Sequence, residues 1–240
     1  MSGRSRPGLA ALKRELAQAA QGNLAGYLAW FKTGKGDYGE GDRFIGVRVP
    51  RQRAIAAKYR HLPLQQIEKL LQSCIHEHRY TGLLILVAQY QGGDEATRRA
   101  IFSFYLDHTG AVNSWDLVDA SASAIVGEHL VSRSRRVLYR LAKSSVLWER
   151  RIAMVSTAAF IDRGDLGDTF AIAERLLDDR HDLIHKATGW MLREAGKRSR
   201  PQLMGFLKRH YPQIPRTALR YAIEHLPQAR RKQVLKGVFG

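Results

Sequence analysis

The sequence has 240 residues, with 39 Lys and Arg against 22 Asp and Glu, a net charge of +17 and 45% hydrophobic residues. That length and apolar content suffice for a buried core and exclude disorder over most of the chain. The single cysteine, Cys74, excludes an intramolecular disulfide framework and any cysteine-built zinc or iron–sulfur cluster within one chain, while the charge favours a polyanionic partner, most simply nucleic acid.

The first residues, MSGRSRPGLAALKRELAQAAQ, are basic but turn amphipathic at once, so they read as the start of a domain and not as a secretory signal. No run of 18 or more apolar residues occurs, so no membrane span is expected and a cytoplasmic location follows as the default. Leu9, Leu12, Leu16 and Ala20 recur at helical spacing, and Tyr27, Leu28 and Phe31 suggest a second short helix ending at Thr33-Gly34. The stretch from Gly34 to Pro50 carries glycines at 34, 36, 39 and 41, which forbids a stable helix there. Tyr38, Asp42 and Arg43 could touch a ligand, but a structured connector is the simpler reading of that stretch. Beyond it the periodicity predicts helices near 50–59, 63–73, 76–91, 94–108, 114–131, 134–142, 146–162, 165–178, 181–197, 200–210, 213–224 and 226–236. Asp94 and Ser134 stand at cap positions, and Asn113 or Ser114 could cap the helix that follows. Such an array of helix pairs forms either a globular bundle or an α-solenoid, and tryptophans at 115, 148 and 190 fit HEAT-sized units loosely. No interior linker splits it, so a single domain over residues 1–240 is expected, with an irregular Gly-rich connector at about 34–50.

The densest group of unusual residues is NSWDLVDAS, Asn113 to Ser121. On a helix, Trp115 and Asp119 are four apart and share a face, with Asp116 near its edge. A tryptophan beside a carboxylate is an uncommon surface pair, but a core tryptophan followed by first-turn aspartates accounts for the same spacing. In LWERRIAM, Arg150 and Arg151 cannot both face a core, so at least one is expected in solvent, available to phosphate or to Asp119. Trp190, Arg193 and Lys197 share a stripe, either as a nucleic-acid surface or as a core tryptophan with a polar flank. Arg216 and Arg220 are i,i+4 neighbours among further tail cations. The histidines are scattered, His76 and His78 do not share a helix face, and no metalloprotease, phosphate-loop or deaminase motif occurs.

Three segments, SWDLVD at 114–119, WERRIAM at 148–154 and KATGWMLREAGK at 186–197, resemble in order and separation the bacterial DNA alkylation repair glycosylases built from HEAT-like repeats, the AlkD-like family. The resemblance runs from about residue 9 to the end and is poor across Gly34–Pro50. It implies an all-α fold, an α-solenoid of HEAT-like helical repeats, curved with a concave basic face that holds duplex DNA. It implies hydrolysis of the N-glycosidic bond of cationic alkylated purines such as 3-methyladenine and 7-methylguanine, without base flipping and with no cofactor or metal. By motif, Asp119 becomes the catalytic carboxylate, Trp115 and Trp190 the flanking aromatics, and Arg151 the basic residue beside the carboxylate. Tyr27, by looser alignment, falls at a further aromatic position of that site. On a stacked solenoid Arg193, Lys197, Arg216 and Arg220 would line the groove and contact the DNA backbone. The partner is then duplex DNA containing alkylated purines, met by a monomer. Two other classes fit the charge and the helical pattern: a non-catalytic solenoid for distorted or branched DNA, and a protein-interaction solenoid.

Overall fold

The computed structural model describes residues 7–21 and 24–239. Among the described residues the chain is all-α with no strand, and the one isolated parallel bridge joins Arg43 and Ile75. Two compact units divide it, Met1–Ser121 and Ala122–Gly240.

The first unit contains α1 (Leu9–Gln18), α2 (Ala25–Phe31), α3 (Val49–Lys58), α4 (Leu64–Leu71), α5 (His76–Gly92), α6 (Glu95–Asp107) and the start of α7 (Trp115–Ala122). The apolar spacing read from the sequence sets the inward faces: Leu12 and Leu16 on α1, and Ile67, Leu70 and Leu71 on α4, are buried. Asp94 caps α6 by accepting from Thr97 N at 2.8 Å. α5 is the hub, packing against α1, α3, α4 and α6.

The first turn of α5 reads His76-Glu77-His78-Arg79, and all four are buried. Buried charge is tolerated only when it is paired or hydrogen-bonded, and each of these side chains has its own partner. Glu77 accepts from the backbone amides of Ile45 (3.1 Å), Gly46 (2.7 Å) and Val47 (3.3 Å). Arg79 donates to Ser73 O (2.8 Å) and Asp42 Oδ1 (2.6 Å). His78 Nδ1 meets the Ser73 hydroxyl at 2.8 Å; burial, with Lys13 and Arg79 nearby, pushes its pKa down to about 4. The Gly-rich stretch has no helix before α3, as expected, and Glu77 gives its last residues the acceptor that a helix would otherwise supply. Gly46 is required there twice over. Its φ is +77°, and a Cβ would lie 2.4 Å from Gln21 O.

The second unit opens with a π-turn over Ser123–Gly127, followed by α8 (Glu128–Leu130), α9 (Arg136–Leu141), α10 (Leu147–Ser156), α11 (Ala158–Ile161), α12 (Gly167–Arg175), α13 (Asp182–Arg198), α14 (Arg200–His210), α15 (Arg216–Ala222) and α16 (Gln228–Leu235). The single helix expected at 114–131 is thus α7, a π-turn and α8 in succession, and the one expected at 146–162 is interrupted at Thr157. Ser134 is not a cap: α9 starts at Arg136, and no side chain caps it. The preceding Arg135 instead lies 3.9 Å over the Phe160 ring and pairs with Asp165 (2.7 Å) and Asp168 (2.5 Å). α13 organises this unit, packing on α10, α12, α14 and α15. It approaches α15 so closely at Gly189 that a Cβ there would sit 2.5 Å from Ala218 O.

Glu77→Ala should cost at least about 2 kcal/mol in urea unfolding, because it strands two buried amides of residues 46 and 47. A loss below about 0.5 kcal/mol, the usual range for surface changes, would contradict this reading of the segment.

Candidate active site

α7 begins with Trp115, and the two candidate residues Trp115 and Asp119 fall on its one face four apart. Both line a single cavity of about 780 Å³ within the first unit. Its other walls are Trp30 and Phe31 from the end of α2, Arg48 and Arg53 at the start and first turns of α3, Tyr80 of α5, and Asp116. Phe31 stacks on Trp115 with centroids 5.4 Å apart and planes at 15°. Trp30 meets Trp115 edge-on, at 6.3 Å and 71°, and is 69% exposed. Phe31 also packs on Phe44 at 4.7 Å and on His76 at 5.0 Å. The aromatic wall is therefore continuous from the connector, through α2, to α7.

The negative charge of this wall is felt by its neighbours. Burial pushes the Tyr80 phenol up, with Asp116 and Asp119 adding to the shift and Arg53 opposing it. Tyr105, fully buried, is pushed up by burial and by Asp119. The Ser121 hydroxyl donates to Leu117 O (2.6 Å), so Tyr105 donates to Ser121 Oγ (2.9 Å). Asp116 Oδ2 lies 2.8 Å from His76 Nε2, and the other ring nitrogen of His76 lies 3.1 Å from Asp42 Oδ2. Asp42 is thus a structural partner of His76 and Arg79 and not a ligand contact. The capping expected of Asn113 or Ser114 does not occur: Asn113 Oδ1 and Ser114 Oγ are buried without a hydrogen bond.

The remaining candidates lie in the second unit. Arg151, on α10, is 4% exposed and donates from Nη1 to Leu183 O at 2.6 Å. Arg150 donates from Nε to Asp179 Oδ2 (2.6 Å) and from Nη1 to Ser144 O (3.0 Å) and Ser145 O (2.9 Å). Arg151 is thus buried, while Arg150 is half-buried with 18% of its side chain exposed and its guanidinium drawn onto protein acceptors. Trp190 is half-buried on α13. On the same helix Arg193 pairs with Glu194 (3.1 Å) and with Glu224, and Lys197 pairs with Glu194 at 2.6 Å. Burial raises the Glu194 pKa, but Lys197 and Arg193 outweigh it and hold the carboxyl below its ordinary value. A phosphate contact by either cation would mean exchanging a carboxylate partner. Arg216 donates to Leu235 O (3.0 Å) at the end of α16, and Arg220 is exposed. Tyr27 has its backbone in α2, but its side chain lies outside the described residues.

With this geometry in hand, comparison with known proteins is informative. The model of the family described as "DNA alkylation repair enzyme" matches residues 12–226. The chain belongs to the DNA alkylation repair enzyme family. A search of curated proteins finds no match. Among solved structures, a predicted DNA alkylation repair enzyme from Enterococcus faecalis is similar with a TM-score of 0.65 and 19% identity, over 85% of this chain and 94% of that one. That likeness places this DNA alkylation repair family member in the same all-α fold, the HEAT-like solenoid class.

Within the family member's cavity, Trp30, Phe31, Tyr80, Arg48 and Arg53 escaped the sequence reading. Trp30 and Phe31 are adjacent aromatics beside the glycine-rich stretch, which is a weak signal. Tyr80 sits in an apolar helix with nothing to mark it. Among the described residues no group of three or more His, Cys, Asp or Glu could hold a metal ion, and no helix is long and apolar enough to cross a membrane.

Proposed function

We propose that this protein is a DNA glycosylase that hydrolyses the N-glycosidic bond of cationic alkylated purines, such as 3-methyladenine and 7-methylguanine, in duplex DNA. The observation that carries the reading is that Asp119 and Trp115 line one aromatic-walled cavity in a chain of the DNA alkylation repair enzyme family. A purine alkylated at N3 or N7 already bears positive charge, so it departs without a general acid. The sugar left behind gains oxocarbenium character. A carboxylate beside C1′ stabilises that charge where it develops and can hold the attacking water; aimed at a charge present mainly in the transition state, it is the largest electrostatic contribution. The face of Trp115 adds a quadrupolar attraction of roughly 0.5–2 kcal/mol. Recognition then falls on the charge of the sugar, and the base need not be drawn into a pocket.

Arg48 and Arg53 are exposed at the same cavity and are suited to the phosphates that flank the lesion. Motif resemblance assigns Trp190 as a second flanking aromatic and Arg151 as the basic residue of the reaction. Arg193, Lys197, Arg216 and Arg220 extend the grip on the backbone, and Tyr27 adds a further aromatic contact. The net charge of +17 supplies the non-specific affinity that such an enzyme needs to search duplex DNA.

Release of 7-methylguanine from methylated duplex DNA, measured under single turnover without added metal, tests the reading. Wild type should release the base, and Asp119→Asn should lose at least about 100-fold in rate while still binding the duplex. No release by wild type under conditions where it binds DNA would leave a non-catalytic DNA-binding protein. Arg48→Ala and Arg53→Ala should each lower the slope of log affinity against log salt by about 0.9. An unchanged slope would remove these arginines from the phosphate contacts.

A further inference from the structure

The environment of His76 has a consequence beyond the proposed reaction. Its two ring nitrogens each face a carboxylate oxygen, Asp116 Oδ2 at 2.8 Å and Asp42 Oδ2 at 3.1 Å. An ionised carboxylate only accepts, and a neutral imidazole has only one N–H, so two such contacts call for the doubly protonated ring. Charge balance agrees. Asp42 also takes the Arg79 guanidinium at 2.6 Å, so the set of side chains bonded to one another, His76, Asp42, Asp116 and Arg79, holds two carboxylates and one guanidinium; the Glu77 carboxylate is outside it, held by the amides of residues 45–47. The imidazolium brings that sum to zero, whereas a neutral ring would leave a net negative charge in a site where the His76, Arg79 and Asp42 side chains are each less than 10% exposed.

The ring is fixed by shape as well as by charge. It stacks on Phe44 at 4.5 Å and 22°, and it touches Phe31, the ring that stacks on Trp115. His76 therefore reaches α7 by two routes, through Asp116 and through Phe31. Both routes end in the two turns that carry Trp115 and Asp119. On its other side it holds Asp42, and its own amide donates to Arg43 O at 2.8 Å.

We propose that His76, donating from both ring nitrogens to Asp42 and Asp116, is a positioning residue that clamps the 34–48 segment to the first turns of α7 and so fixes Trp115 and Asp119 in the cavity. The role in excision rests on the proposed glycosylase reading; the clamp itself does not. The charged groups around the ring are Asp42 from the connector, Asp116 with Asp119 one turn on from α7, and Glu77 and Arg79 from α5. Glu77 is occupied by the amides of residues 45–47. Among the described side chains of α2, the one that touches the ring is the uncharged Phe31. Burial and Arg79 act to lower the ring's pKa, but the hydrogen bonds and charges of Asp116 and Asp42 outweigh them, and the net direction is upward. A group whose folded pKa is raised stabilises the fold fully below its unfolded value, and that contribution is lost as pH rises through the folded value. The clamp is thus fully closed below the ordinary histidine value of about 6.5 and opens only as pH rises above it.

The test uses the full chain, labelled with ¹⁵N-histidine, as wild type and His76→Gln. At pH 7 one histidine absent from the variant should show both ring nitrogens protonated and should titrate above the other histidines. A neutral His76 at pH 7 would overturn the proposal. Amide hydrogen exchange at residues 115–119 should quicken at least about tenfold in His76→Gln. Unchanged exchange would overturn it. If the variant does not fold, wild type carried through the ring titration must loosen the same amides. In excision, kcat should fall by up to about 100-fold in His76→Gln with duplex affinity retained, and the alkaline fall in the wild-type rate should be missing from the variant. Excision by both proteins with the same rate and pH profile overturns the positioning role and leaves the glycosylase reading standing. A protonated, titrating His76 in a wild type that releases no base rejects the glycosylase reading and supports the clamp.

Discussion

The segment between α2 and α3, with glycines at 34, 36, 39, 41 and 46, has too much glycine to form a helix and must still lie against an aromatic cavity. Residues 34–42 pair their backbone largely among themselves in turns, but the amides of residues 45–47 need partners from elsewhere. The first turn of α5 provides them. Glu77 takes the amides of residues 45–47, Arg79 takes Asp42, and His76 takes Asp42 together with Asp116. Phe44 and Phe31 then pack around His76, and Trp115 packs on Phe31. A buried polar turn thus determines where the aromatic wall and the two α7 carboxylates stand. Most polar atoms of this network are paired, although Arg79 Nε and Asp116 Oδ1 are buried without a hydrogen bond, and paired buried networks favour a single arrangement.

The charges of the chain divide into two kinds of work. Most cations are on the surface, and several are already paired within the protein, as Arg193 and Lys197 are with Glu194. Long-range attraction to a polyanion survives such pairing because it follows the net charge of +17. The proposed chemistry depends instead on a few negative groups set in an apolar wall. There a carboxylate acts through a lower effective dielectric than it would in water, so its interaction with a developing positive charge is strengthened. The same setting raises the phenols of Tyr80 and Tyr105, which keeps them neutral beside Asp119.

The helices were legible because apolar residues at helical spacing leave one face to bury, as Leu12 with Leu16 and Ile67 with Leu70 show. Trp115 and Asp119 were legible as a pair because i,i+4 spacing on one helix is a local property, and they do line one cavity. Trp30, Tyr80, Arg48 and Arg53 were not, since they reach that cavity from three other elements and no local spacing records it. His76 looked scattered for the same reason: its partners are 34 and 40 residues away in sequence. Which of Arg150 and Arg151 is buried was not legible, because the partners that hold Arg150, Asp179 and two backbone carbonyls, are 29 and 5–6 residues away. The connector was read as structured, yet the device that structures it, the buried Glu77 in α5, the third helix after it, has no signature in the segment itself.

The central claim is that Asp119 stabilises positive charge on a sugar in this cavity. Its most direct measurement compares two duplexes that differ at one nucleotide, one with a protonated pyrrolidine in place of the deoxyribose ring and one with the uncharged tetrahydrofuran. Wild type should bind the charged duplex at least about tenfold more tightly, a difference of roughly 1.4 kcal/mol, and Asp119→Asn should abolish the preference. Equal affinity of wild type for the two duplexes, or a preference that survives Asp119→Asn, would contradict the account.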